Sequence, residues 1–211
     1  MAKAPMTAGR VWRGEPPEQR DAARRRRLLD AGLELFGTRG YRETSVEAIC
    51  SEAQVSGRSF YEHFGNREDL LVAVYGEALS EVATELENAL AAAPLELEAM
   101  CRAGIEAPAR ALVADARKVR VNFVEVIGVS DRIQSRRRAV LAEMGAVIAR
   151  HADRLVDAGK ISRSPSRWTQ VAFIGAFENV LVEWLAEADG ASLENVIDDL
   201  TRVFAAALRS A

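Results

Sequence analysis

The chain has 211 residues, 49% of them hydrophobic, and a formal net charge of −3 at pH 7, which suits one large domain or a small domain joined to a larger one. It shows no apolar run long enough to span a membrane and no secretory leader, so we expect a cytoplasmic protein without a membrane partner. Its two cysteines, Cys50 and Cys101, have neither the spacing of a zinc site nor that of a disulfide framework, so we expect no metal and no cofactor.

Residues 1–22 are predicted to form a flexible N-terminal arm, because prolines and glycines are frequent there and core-forming side chains are few. Arg24 to Arg27 form an uninterrupted basic run, which on its own is more typical of a solvated helix start than of a binding patch. From this point the pattern is helical, and no strand alternation follows. The sequence therefore predicts an all-α protein.

Three short helices are predicted within residues 23–70. The first carries one apolar stripe and ends near Gly40, since glycine is favoured just past a helix end. Thr44 or Ser45 can cap the second helix, and Ser56 can cap the third after a three-residue turn. Two short helices joined by such a turn outline a helix-turn-helix, which predicts a DNA-binding domain.

The exposed face of the third helix has the residues that a DNA major groove requires. Phe60 faces inward, whereas Gly57, Arg58 and Ser59 point away from the core. A long arginine among small neighbours can enter the groove and pair with guanine. A surface ion pair between Arg58 and Glu62 is the alternative for that arginine.

Phosphate contacts are expected around the same helix. Tyr61 and His63 flank the buried strip, Arg67 opens the fourth helix, and the N-terminal ends of the second and fourth helices offer free backbone N–H groups. Local packing or capping remains the alternative for His63.

Residues 24–71 resemble the DNA-binding domain of TetR-type bacterial transcriptional regulators. The resemblance is carried by short motifs at the family's spacing, which are Phe36…Gly40-Tyr41, Thr44-Ser45-Val46, Val55-Ser56, Phe60-Tyr61-x-x-Phe64, Arg67 and Leu70-Leu71. It implies phosphate contacts by Tyr61, His63 and Arg67, a backbone contact by Thr44 or Ser45, and base reading by residues 57–59. One departure is Gln54, which stands where the family often has glycine.

The predicted DNA-binding set is Thr44, Ser45, Ser56, Gly57, Arg58, Ser59, Tyr61, His63 and Arg67. The fourth helix is predicted to run from Arg67 toward Pro94. Further helical segments are predicted at 95–114, 117–128, 138–158, 166–188 and 192–209. Residues 71–211 are therefore expected to form a larger helical domain for ligand binding and dimerisation.

The segment 166–188 is apolar on almost every side, so it must be covered on two faces. Its partner, 192–209, follows a predicted hairpin turn at Asp189-Gly190 and has a single apolar stripe. A four-helix bundle with a second copy of the chain covers both segments, so we expect a homodimer through residues 166–209.

Several apolar or isolated polar residues are candidates for lining an effector pocket. They are Met100, Asn122, Phe123, Met144, His151, Phe173, Phe177 and Glu178. The alternatives are a satisfied core histidine for His151, ordinary core packing for the aromatics and methionines, and, for Asn122 and Glu125, an ion pair with Arg117 or Arg120. Glu178 lies on an apolar face, where a carboxylate requires a partner.

These features predict a ligand-released repressor that binds a two-fold symmetric operator in double-stranded DNA as a homodimer, with a small, largely apolar effector. A regulator controlled by a protein partner, or an activator, is the alternative. An enzyme is disfavoured, because the two histidines, His63 and His151, stand with no nucleophile or metal set.

Overall fold

A computed structural model describes residues 16–186 and 192–209. All regular structure in these ranges is helical, as predicted. The helices are α1 (Pro17–Thr38), α2 (Val46–Ala53), α3 (Gly57–His63), α4 (Arg67–Ala92), α5 (Leu97–Val113), α6 (Ala116–Arg120), α7 (Asp131–Asp157), α8 (Arg167–Ala186) and α9 (Leu193–Arg209), with a π-helical turn at Val121–Glu125 between α6 and α7. None of these helices has both the length and the hydropathy needed to cross a bilayer.

Three helix boundaries differ from the sequence prediction. Helix α1 begins at Pro17, a favoured first position because proline has no N–H to leave unpaired; residues 17–22 of the predicted arm are therefore helical, and residues 1–15 lie outside the described residues. Helix α7 begins at Asp131, because Ser130 accepts the N–H of Ile133. The predicted helix at 117–128 is divided into α6 and the π turn.

The caps of the helix-turn-helix follow the prediction. Ser45 accepts the N–H of Ala48 at the start of α2, and Ser56 accepts the N–H of Ser59 at the start of α3. Gln54 ends α2 with a left-handed φ of 53°, a conformation that costs a residue with a Cβ about 1–2 kcal/mol. The turn therefore keeps the geometry that glycine would adopt more easily.

Apolar packing is continuous from the helix-turn-helix into the C-terminal helices. We call this group the reading-head cluster; it includes Leu28, Phe36, Ile49, Phe60, Leu71, Val74, Val121, Val126 and Val140. Helix α6 approaches α1 so closely that a Cβ on Gly37 would lie 2.4 Å from the Cβ of Arg117. A side chain at Gly37 would therefore separate the two helices.

The C-terminal helices form two further groups that matter below. The middle cluster includes Val82, Ala109, Leu112, Val119, Phe123 and Leu181. The distal cluster includes Leu86, Leu90, Leu97, Met100, Ala152, Leu155 and Leu208.

Helix α8 is only partly covered within one chain. It buries Ile174 and Leu181, whereas Trp168 is 74% exposed. The other exposed large apolar residues of α8 and α9 are Val171, Val180, Leu185 and Val203. The predicted hairpin turn at Asp189-Gly190 lies outside the described residues.

Candidate functional sites

The start of α3 forms an open surface. Arg58 has 90% of its side chain exposed, and a Cβ on Gly57 would meet nothing within 4 Å. Tyr61 is 61% exposed on the same helix. Arg58 makes the anticipated ion pair, with its Nε 3.2 Å from Glu62 Oε1, but an exposed pair of this kind contributes little energy and can open when DNA arrives.

Two residues of the predicted DNA-binding set are buried instead. Thr44 is fully buried and donates its hydroxyl to the carbonyl of Gly40 at 2.7 Å, so it closes the turn between α1 and α2. Ser59 is 7% exposed, and its Oγ has no hydrogen-bond partner among the described residues. The side chains of Thr44 and Ser59 are therefore corrected from DNA contacts to interior residues, while Ser45 is the exposed hydroxyl at the start of α2.

His63 is also turned inward. Only 7% of its side chain is exposed, and its Nε2 lies 3.5 Å from Asp21 Oδ1. Asp21 belongs to the early part of α1 that the sequence did not predict as helix. The predicted phosphate contact of His63 is corrected to packing between α1 and α3.

Arg67 braces the loop before α2. Its guanidinium carbon lies 4.2 Å from the centre of the Tyr41 ring, and it donates to the carbonyls of Thr44 and Arg42. A guanidinium has five N–H donors, so it can hold these carbonyls and still offer an N–H to a phosphate.

The basic run at the start of the domain is largely neutralised inside the chain. Arg26 pairs with Glu77 at 2.6 Å and with Asp30 at 2.8 Å, and Arg25 lies 3.7 Å from the other oxygen of Glu77. These contacts fasten α1 to α4, which fits the expectation that the run is not itself a binding patch.

A second candidate site is an apolar cavity of about 100 Å³ among α4, α5, α7, α8 and α9. Five residues predicted from the sequence line it: Met100, Met144, His151, Phe173 and Phe177. The remaining lining residues are Leu86, Leu90, Cys101, Gly104, Ile105, Pro108, Ile148, Ala152, Leu155, Ile174, Phe204 and Leu208. Sequence reasoning missed the contributions of α4 and α9, whose apolar stripes it had assigned to core and dimer packing.

The contacts of His151 indicate which ring nitrogen donates and which accepts a hydrogen bond. Arg154 lies 3.0 Å from Nδ1, and Glu87 Oε1 lies 3.1 Å from Nε2. Arginine can only donate, so Nδ1 accepts a hydrogen bond from Arg154, and the N–H at Nε2 donates one to Glu87. Both ring nitrogens are thus occupied by protein groups, as in a satisfied core histidine, although the ring itself lines the cavity.

Three predicted pocket residues do not line the cavity. Glu178 pairs with Arg137 at 2.5 Å, and burial raises the pKa of Glu178 while Arg137 opposes that rise. Phe123 packs in the middle cluster. Asn122 is 1% exposed, and neither its Oδ1 nor its Nδ2 has a hydrogen-bond partner among the described residues. Their assignment to the pocket is corrected accordingly.

The helix-turn-helix region matches a known protein family. Residues 28–74 match the family described as bacterial regulatory proteins, tetR family. Residues 28–74 are therefore a DNA-binding region of the TetR family type. This confirms the resemblance seen in the sequence, and the family is one of transcriptional regulators, as predicted, and not of enzymes.

Sequence relatives align with only part of this chain. The HTH-type transcriptional regulator HbdR of Aromatoleum sp. (strain CIB) is 29% identical over 80 residues, which is 38% of this chain and 35% of that protein. The HTH-type transcriptional regulator BetI of Brucella canis is 32% identical over 75 residues, 36% of this chain and 38% of that protein. The alignments thus span little more than a third of either relative.

Solved structures match the fold over nearly the whole length. The fatty acid degradation regulator FadR from Bacillus halodurans has a TM-score of 0.78 at 17% identity, covering 93% of this chain and 99% of that one. FadR from Bacillus subtilis, in complex with stearoyl-CoA, has a TM-score of 0.77 at 16% identity, covering 85% and 97%. At these identities the likeness shows the TetR-family fold alone.

Proposed function

We propose that this chain is a ligand-released repressor that binds a two-fold symmetric operator as a homodimer. The observation that carries the proposal is the position of α4. Its first turns supply Leu70 and Leu71 to the reading-head cluster, and its later turns supply Leu86 and Leu90 to the cavity wall. One helix therefore touches both sites, so a molecule in the cavity can bias the position of the reading head.

The DNA contacts in this proposal are those that remain exposed. Arg58 and Gly57 enter the major groove, with Arg58 reading a base. Phosphates are held by Tyr61, by Arg67, by the exposed Ser45 and Ser56, and by the N-terminal ends of α2 and α4. The base contacts give the protein its sequence preference, and the phosphate contacts give it affinity for DNA of any sequence.

Dimerisation is proposed through residues 166–209. The exposed Trp168, Val171 and Leu185 of α8 and Val203 of α9 form an apolar surface that a second copy would cover. A dimer with two-fold symmetry places two reading heads on two half-sites about 34–36 Å apart, one turn of DNA or a multiple of it. Both halves of the operator would then be read by the same residues.

The proposed effector is small and largely apolar. Its cavity is lined almost wholly by apolar side chains, and a structural neighbour was solved in complex with stearoyl-CoA. A dry cavity of about 150 Å³ accepts benzene, so the smaller cavity here has to widen when an effector enters. A fully packed core would have favoured control by a protein partner; the cavity favours a ligand.

DNA selection from the source genome tests the proposal. Fragments retained by the full chain should share a two-fold symmetric site, and footprints should cover both half-sites. The site is then placed before a reporter gene in a host that lacks the protein. Supplying the protein should lower expression. If the selected fragments share no symmetric site, the proposal of a dimer on a two-fold symmetric operator is wrong. Raised expression of the reporter gene would identify an activator.

A further inference from the structure

Met144 occupies a singular position in the packing. Among the described residues it is the one partly buried apolar side chain that packs against the reading-head, middle and distal clusters together. It also lines the cavity. A displacement of Met144 therefore changes the packing both at the cavity wall and in the core that holds the helix-turn-helix.

The cavity presents almost no free polar group. Of the described residues that line it, only Cys101 and His151 carry polar side-chain atoms. Both nitrogens of His151 are engaged by Glu87 and Arg154. Burial raises the pKa of Cys101 to about 12, so its thiol stays neutral. An ionised ligand group placed here would lose its hydration without gaining a partner.

We propose that the part of the effector inside the cavity is an uncharged hydrocarbon group, and that it enters by displacing the side chain of Met144. This rests on the proposed function, in which an effector occupies this cavity. An ionised or hydrogen-bonding portion of the effector stays outside the space enclosed by these helices.

The chemistry of methionine suits a movable wall. Its side chain is unbranched, has several rotatable bonds and adapts to irregular space at low cost. Met100 is the other flexible side chain of the lining, but it belongs to the distal cluster alone. The remaining walls include Ile105, Pro108 and Phe204, which are branched, cyclic or aromatic, and Phe204 is stacked on Phe173 with ring centres 4.3 Å apart. Widening the cavity at Met144 therefore moves a flexible side chain and leaves the stiffer walls in place.

Methionine methyl NMR on the full chain tests this inference with defined probes. Toluene and benzoate share a ring but differ in charge. The chain has four methionines, Met1, Met6, Met100 and Met144, and two of them line the cavity. Toluene should shift the Met144 methyl signal in a saturable manner and change its rotamer averaging, with a smaller shift at Met100. Benzoate at the same concentration should leave both signals unchanged.

Two variants measure the displacement. Met144→Ala removes the side chain that has to move, so toluene should bind about tenfold more tightly, because the fraction of open cavity rises. Met144→Leu keeps a similar volume but is branched and stiffer, so toluene should bind at least about threefold more weakly. Leu33→Ala, a partly buried change in the reading-head cluster away from the cavity, controls for general loosening and should leave the toluene affinity unchanged.

The outcomes separate this inference from the function on which it rests. Equal binding of benzoate and toluene overturns the uncharged class. Toluene binding with an unmoved Met144, or with unchanged affinity in both Met144 variants, overturns the movable wall. If toluene binds and Met144 moves while the selected operator stays bound, the inference stands and ligand release fails. Absence of toluene binding even in Met144→Ala overturns the inference, while operator binding tests the regulator separately.

Discussion

The carboxylate of Glu125 accepts a hydrogen bond from the backbone N–H of Tyr41, with 2.7 Å between Oε2 and N. Its other oxygen lies 2.9 Å from Nε of Arg120, and Arg120 donates to the carbonyl of Thr38 at 2.7 Å. The π turn thus holds both sides of the turn between α1 and α2. Gly40, at a φ of 98°, leaves the room for this contact, since a Cβ there would lie 3.2 Å from the carboxylate.

Removing this acceptor should loosen the reading head. Glu125→Ala leaves the N–H of Tyr41 and the guanidinium of Arg120 without their partner, so we expect the free energy of unfolding to fall by about 1–3 kcal/mol. Hydrogen exchange should accelerate at residues 41–45. Glu81→Ala, which removes an exposed ion pair with Lys118, is the control and should change stability by less than about 1 kcal/mol. Equal losses in both variants would show that the contact has no special role.

The sequence predicted part of this arrangement. An ion pair of Glu125 with Arg120 was among the alternatives, because the two residues lie close along a helical segment. The contact with Tyr41 spans 84 residues and depends on how α6 docks against Gly37, which no local pattern records. The sequence did not predict the π turn either, because its residues continue the apolar periodicity of a helix.

Arg58 should determine sequence preference. Its side chain is exposed and, among the described residues, pairs with Glu62 alone. Arg58→Ala should therefore weaken binding to the selected operator by about 1–3 kcal/mol and leave binding to random DNA nearly unchanged. Competition titrations on both DNAs provide the measurement. Glu62→Ala is the matched variant, because it frees Arg58 without removing it. An unchanged preference in Arg58→Ala would assign that arginine to the ion pair alone.

Arg67 should act through both its charge and its shape. Arg67→Ala removes the brace under Tyr41 and a cation near the backbone, so specific and non-specific binding should both weaken. Removing one phosphate interaction lowers the slope of log affinity against log salt by about 0.9. Arg67→Lys keeps the charge but not the stacked, forked geometry. If the lysine variant binds DNA like the native protein, the main role of Arg67 is to attract phosphate. If it binds like the alanine variant, the main role is to hold Tyr41 and the loop before α2 in place.

The DNA-binding surface shows where sequence reasoning succeeds and where it stops. Helix caps depend on residues two or three positions away, so Ser56 was predicted as a cap and Ser45 was one of two candidates, with Thr44, for the other. The burial of Thr44 and His63 depends on contacts outside the helices that these residues adjoin. Thr44 turns toward Gly40 to close the loop, and His63 meets Asp21 because α1 begins earlier than its apolar stripe indicates. Similarly, the pairing of Glu178 with Arg137 joins two helices whose relative rotation the sequence does not fix.

The exposed apolar surface of α8 and α9 should mediate dimerisation. Val203 is 60% exposed in the single chain, so Val203→Glu should leave the protomer folded. In a two-fold dimer the charge appears twice at the interface, and we expect the dissociation constant to rise at least about 100-fold. Ile127→Glu, at a residue 57% exposed outside α8 and α9, is the control. Sedimentation at micromolar concentration should show dimers for the native protein and for the control, but monomers for Val203→Glu. A monomeric native protein would overturn the prediction.

Glu178 should impose a distinct pH dependence on stability. Burial raises its pKa above the ordinary value of 4.5, against the attraction of Arg137. Just above that pH the folded state binds more protons at this site than the unfolded state does. Stability contributed by the site is therefore fully present below about pH 4.5 and falls as pH rises through the folded-state pKa.

The variant Glu178→Gln removes this titration while keeping the side-chain shape. The loss of the partner of Arg137 adds an offset that does not vary with pH in this range, because arginine remains charged. Denaturant unfolding between about pH 4 and pH 8 should show the native protein losing stability relative to the variant as pH rises, with no further change once Glu178 is ionised. Glu81→Gln controls for removal of an exposed carboxylate. A relative gain in stability with rising pH would mean that the attraction of Arg137 exceeds the cost of burying the Glu178 charge.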